Sequence, residues 1–135
     1  MVVRVVLLAA AVGLIALGVG RAHDRSGCNA GGKLAFQVGN GKRPVSDAPQ
    51  AAQKLLQHCR GAQQLTNGVS ALVRVKATGP AQELATAAVR REPQRRDSWL
   101  ALAAVARLEG DNAANTRALA RARQLDPLSF AGRSS

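Results

Sequence analysis

The residues able to do chemistry in this chain are few. Cysteine occurs only as Cys28 and Cys59, and histidine only as His23 and His58. Three fates are open to the cysteines: a disulfide, two free thiols, or a zinc site completed by the histidines. Zinc fits worst, because His58 and Cys59 are neighbours on an expected helix, where adjacent side chains diverge by about 100°, and their spacing matches no common finger. An even cysteine count behind an export-like segment is the pattern of an oxidising compartment, which favours a Cys28–Cys59 disulfide over free thiols. The run Gly39-Asn40-Gly41-Lys42 resembles a phosphate-binding loop only superficially. It lacks the glycine five residues before Gly41, and Arg43 stands where Ser or Thr would hold magnesium. No Ser-His-Asp or Cys-His set can be assembled, and the carboxylates are scattered singly along the chain. The expectation is a protein without catalysis, cofactor or metal.

The remaining chemistry is charge. Nineteen Lys and Arg stand against eight Asp and Glu, for a net charge of +11 and a pI near 11.6. The excess is mostly arginine, spread from Arg4 to Arg133 with no dense run. Such a pattern is read either as a solvated basic surface or as attraction to something anionic: lipid headgroups, nucleic acid or an acidic protein. Nucleic acid is the least fitting of these, since aromatics make up 2% of the chain (Phe36, Trp99 and Phe130) and no recognition motif accompanies the charge.

Four regions must position these residues. Residues 5–20, VVLLAAAVGLIALGVG, run sixteen positions without a polar side chain. As a helix they would span about 24 Å, short of the roughly 30 Å hydrocarbon core unless Val2, Val3 and a snorkelling Arg4 extend them. Residues 1–22 are therefore a single-pass membrane anchor or a signal peptide; the best cleavage site, Gly20-Arg21-Ala22, carries an arginine inside it. A lipidated Cys28 is excluded by its distance from the apolar run and by Arg25 three residues before it. Arg21, Arg25 and Lys33 outnumber Arg4 and argue for a cytoplasmic C-terminal part. The cysteine argument favours an extracytoplasmic one, released into the periplasm or medium if the segment is cleaved, and is preferred. Residues 23–45 are glycine-rich and read as a stalk holding one short helical or packed piece. Residues 46–127 have helical periodicity, and 128–135 are a tail.

Within 46–127, apolar residues recur three and four apart. Helices are expected over about 47–59 with Ser46 as N-cap, 62–75, 81–92 after the Gly79-Pro80 break, 97–108, and a last one ending at Leu125 before Pro127. Glu92-Pro93 and Asp126-Pro127 are 34 residues apart, and Ala88 and Ala122 keep the same offset from those prolines. That period is the tetratricopeptide one. The stretch DSWLALAAVARLEGDNAANTRALARARQLDP resembles a repeat of that family, with Trp99, Leu102, Gly110, Ala122 and Pro127 at signature positions. Ala106 and Asn115 depart from the pattern. The unit before it, ending at Pro93, is a weaker match with Gly68 in place of leucine.

The resemblance implies an all-α fold: a short right-handed stack of antiparallel helix hairpins behind the N-terminal segment. Trp99 would be its main buried anchor. It also implies a concave face lined by the first helix of each pair, here Gln63, Thr66, Ser70 and Arg74, then Leu100, Ala104 and Arg107. Arg74 and Arg107 would donate charge-assisted hydrogen bonds to a carboxylate. The function so implied is a membrane-tethered protein-interaction module with a protein or peptide partner, acidic if the two arginines engage it. Two other readings stand beside it: a basic protein binding a membrane surface or anionic polymer, and an accessory piece of an envelope polysaccharide assembly system.

Overall fold

The structure, a computed structural model, describes residues 25–131, so the apolar run lies outside the described residues. Among the described residues every regular element is helical: α1 (25–39), a 3-10 turn (Val45–Asp47), α2 (Ala48–His58), α3 (Ala62–Arg74), α4 (Thr78–Arg91), α5 (Arg96–Glu109), α6 (Asn112–Leu125) and a short α7 (Leu128–Ala131). None of the described helices is long and apolar enough to cross a membrane. Each of α3 to α5 packs on the helix after it; α2 also touches α4, and α3 also touches α5.

Helix α1 extends the short helical piece expected within a stalk: it runs over 25–39 and is docked along its length. Gly27, Gly31, Ala35 and Gly39 recur every four residues, which on a helix makes one stripe. A Cβ on Gly27 would strike the His58 ring, one on Gly31 would come within 3.0 Å of Lys54 Cβ, and one on Gly39 within 2.6 Å of the Ala71 carbonyl oxygen. These glycines are the face along which α1 lies against α2 and α3. Each costs a helix about 1 kcal/mol relative to alanine, and the close approach, with Ala35 and Val38 fully buried, offsets that cost. Composition alone reads such glycines as a linker; their four-residue spacing is the signal of a packed helix.

The core is thin and aliphatic. Leu55, Leu65, Leu72, Leu84, Val69 and Val105 are fully buried among alanines of α2, α3, α4 and α5. Gly68, where the repeat pattern wants leucine, is buried because Leu55 Cδ1 and Leu84 Cδ1 occupy its place, at 2.5 and 2.9 Å from where a Cβ would stand. Leucines from the two flanking helices supply the missing volume. Trp99 differs from its expected role. It is half-buried, its indole Nε1 donates to the Pro93 carbonyl oxygen at 2.8 Å, and its neighbour Ser98 takes the fully buried position. The anchor of α5 is therefore spread over Ser98, Ala101, Val105 and Ala106.

Helix boundaries lie within a few residues of the expected ones. Ser46 does not cap α2; it lies inside the 3-10 turn, and Asp47 precedes the helix without a side-chain cap. Helix α4 starts at Thr78, so Pro80 falls inside its first turn, where its missing N–H has no partner to lose. Helices α3 and α5 end alike. Lys76 and Gly110, 34 residues apart, have φ of 56° and 79°; Ala77 N donates to Leu72 O and Asp111 N to Ala106 O across each turn. Such a left-handed residue is the usual helix stop, and glycine is its natural occupant.

Candidate functional site

Between α3 and α5 runs a shallow groove of about 500 Å³. Helix α3 contributes Gln63, Thr66, Asn67, Val69, Ser70 and Val73, and α5 contributes Asp97, Leu100, Ala101 and Ala104. Five of the seven residues expected on the concave face, Gln63, Thr66, Ser70, Leu100 and Ala104, come together here. The α3 wall is uncharged, with four polar residues around Val69 and Val73. Thr66 Oγ1 donates to Gln63 O (2.9 Å), Ser70 Oγ donates to Thr66 O (3.1 Å), and Gln63 Nε2 donates to Asn67 Oδ1 (3.1 Å). With their protons so used, the two hydroxyl oxygens keep lone pairs to accept, while the amides of Gln63 and Asn67 retain donors and acceptors both. The α5 wall is apolar over Leu100, Ala101 and Ala104, with Asp97 at one end.

Arg74 and Arg107 do not line the groove. In a 34-residue register Arg74 pairs with Leu108 and Arg107 with Val73, so the two arginines do not hold equivalent positions: Arg74 is one residue past the groove residue Val73, and Arg107 lies in phase with it beyond the last α5 groove residue, Ala104. Arg74 Nη1 donates to Asn40 Oδ1 (3.3 Å) on the side of α1, and Arg107 is exposed near the end of α5. The same register would have found Asp97, which follows Gln63 by 34, and Val73, which precedes Arg107 by 34. Asp97 lies 3.9 Å from Arg95 and 3.5 Å from Arg96, and Arg95 also donates to the Gln63 carbonyl oxygen of the side-chain amide. That end of the groove is charged but internally compensated.

Each helix pair is closed at the same end by a different bond. The sulfurs of Cys28 and Cys59 are bonded at 2.01 Å, joining the start of α1 to the end of α2. Glu92 Oε1, after α4, accepts from Ala62 N at the start of α3 (2.8 Å). Asp126 Oδ2, after α6, accepts from Arg96 Nη1 at the start of α5 (2.9 Å). The carboxyl of Glu92 is held below its ordinary pKa, mainly by the Ala62 amide and further by Arg95. The carboxyl of Asp126 is likewise lowered, mainly by hydrogen bonds from Ser129 and then by Arg96. Arg91 reinforces the first closure by donating to Cys59 O and, at 2.8 Å, to Leu56 O.

Beside the disulfide is a second hollow of about 470 Å³, lined by Arg25, Asn29, His58, Arg60 and Gln64 among others. A third, of about 330 Å³, holds Trp99 and Leu102 with Gln82, Ala106 and Ala118. Of the other signature residues, Gly110 makes the α5 stop, Ala122 is fully buried, and Pro93 and Pro127 follow the ends of α4 and α6. Among the described residues no three His, Cys, Asp or Glu side chains gather closely enough to hold a metal ion, and the cysteines, bonded to each other, are not thiolate ligands. Comparison with protein-family models, with curated proteins and with solved structures finds no match.

Proposed function

We propose that the protein is an interaction module of tetratricopeptide-like hairpins, held at a membrane by residues 5–20, whose α3–α5 groove receives a segment of another protein. The observation that carries this reading is the composition of the groove: side-chain amides and hydroxyls of α3 interleaved with Val69 and Val73, facing Leu100, Ala101 and Ala104 of α5. An extended or helical segment offers both backbone polar groups and apolar side chains, and such a groove answers both. The 34-residue recurrence of the helix stops and of the carboxylate closures, with the contact between alternate helices α3 and α5, supports reading α3–α4 and α5–α6 as two copies of one hairpin.

The test is affinity capture from detergent-solubilised membranes with the full chain and with Ala104→Arg. Ala104 is exposed, so the variant should keep its helical circular dichroism and melting temperature while filling the groove with a long cation. A partner bound by the parent should be lost, by tenfold or more, from the variant. An identical set of captured proteins from both chains would remove the groove as the binding surface.

A further inference from the structure

The 34-residue register that aligns α3–α4 with α5–α6 also marks where the second hairpin is less filled than the first. Leu72 of α3 and Leu84 of α4 are fully buried, and the residues 34 positions on are Ala106 and Ala118. The tetratricopeptide pattern places a tyrosine seven residues after its tryptophan, and that position here is again Ala106. Both alanines line the hollow of about 330 Å³ that α4, α5 and α6 form beside Trp99. Trp99 and Leu102, which stand for Leu65 and Gly68 in the register, wall that hollow without filling it.

The space left is suited to one ring. Its size is at the small end of ligand pockets, which run from roughly 300 to 1,000 Å³. Its floor is apolar, made of Ala106 and Ala118. Trp99 spends its indole proton on the Pro93 carbonyl oxygen, so it offers a ligand only ring faces and edges, which hold another aromatic group in offset or edge-to-face contact. The rim is polar. Glu109 and Arg117 carry opposite charges there, and Asp111 Oδ1 already accepts from Ala114 N at 2.8 Å. A neutral hydroxyl suits such a rim better than an ion does, since it can donate to a carboxylate and accept from a guanidinium.

We propose that this hollow is a second binding site, and that it takes one phenol ring. The ring lies against Trp99 over the two alanines, with its hydroxyl at the rim of Glu109 and Arg117. An aliphatic chain would leave that rim unused, and a cation would meet Arg117 as well as Glu109. The site shares no lining residue with the α3–α5 groove, so neither depends on the other.

The chain has one tryptophan and no tyrosine, so Trp99 emission, excited where phenols do not absorb, reads the site directly. The full chain in maltoside detergent is titrated with 4-methylphenol and with the capped tripeptide acetyl-Gly-Tyr-Gly-amide, beside its Phe and Lys counterparts. A saturable change is expected with the two phenols, weaker with the Phe peptide and absent with the Lys peptide. Whichever phenol binds more tightly tells whether the ring is free or carried by a protein. Ala106→Leu restores the residue of the first hairpin, and Ala118→Leu does the same from the facing helix. Each should weaken binding by tenfold or more without lowering the melting temperature, because the added atoms enter existing space and do not overpack it. A lower melting temperature in both variants would show that no room exists, and parent-like affinity in both would put the ligand elsewhere. Either result overturns the inference, as does a phenol response that never saturates or a Lys peptide that binds as well as the Tyr one. Ala104→Arg, in the α3–α5 groove, should leave the titrations unchanged; loss of phenol binding in that variant would place the ring in the groove and overturn the second site.

Discussion

Lys76 is the one non-glycine with positive φ among the described residues. Its partner in the register, Gly110, shows what that position calls for, since a Cβ in the left-handed region costs roughly 1–2 kcal/mol. Lys76→Gly should therefore stabilise the protein by about 1 kcal/mol, less what the freer unfolded chain takes back. A melting temperature equal to or below the parent's would show that the lysine makes a compensating contact. Trp99 teaches the opposite lesson. Full burial of so large a ring predicts a loss of about 3–5 kcal/mol on truncation, but a half-buried indole anchored by one hydrogen bond to Pro93 O should lose only about 2 kcal/mol. Trp99→Ala is expected to melt lower yet remain helical at ambient temperature, as read by circular dichroism.

Among the elements, the three closures join the start of one helix to the end of the next, and their chemistries respond to different conditions. The disulfide, closing a loop with its ends 31 residues apart, contributes about 3–4 kcal/mol in the chain-entropy model, which explains how a helix with four glycines can stay docked. The two carboxylate closures are sensitive to acid. Both carboxyls have their pKa lowered by folding, so the stability they contribute is fully present above the ordinary carboxylate range near pH 4. It is lost as the pH falls through their lowered values. The melting temperature should accordingly drop on acidification below about pH 4, and Glu92→Gln should melt lower than the parent at neutral pH while showing a shallower acid drop. Parallel pH curves for variant and parent would mean that Glu92 does not hold α3 through Ala62.

For the molecule as a whole, what could be read in the residues alone was whatever depends on near neighbours. Helical periodicity located α2 through α6, because burial on one face imposes a three-to-four spacing that short windows reveal. The prolines and Gly110 marked ends for the local reason that they cannot continue a helix. The cysteine pair followed from an even cysteine count behind an export-like segment. Five of the groove residues, from Gln63 to Ala104, were legible because a 34-residue register carries one helix face onto the next. Tertiary structure decided the rest. Glycine is ambiguous by itself, and only the presence of His58, Leu55 and Ala71 against α1 turned Gly27, Gly31 and Gly39 from a stalk into a packing stripe. Whether Trp99 or Ser98 faced inward depended on the rotation of α5 against its neighbours, a rotation of one residue that no short window resolves. The same one-residue phase put Arg74 beside Asn40 and out of the groove, while Arg107 lies beyond the last α5 residue that lines it. Local sequence sets which residues can share a face, but the neighbouring helices decide which way that face turns.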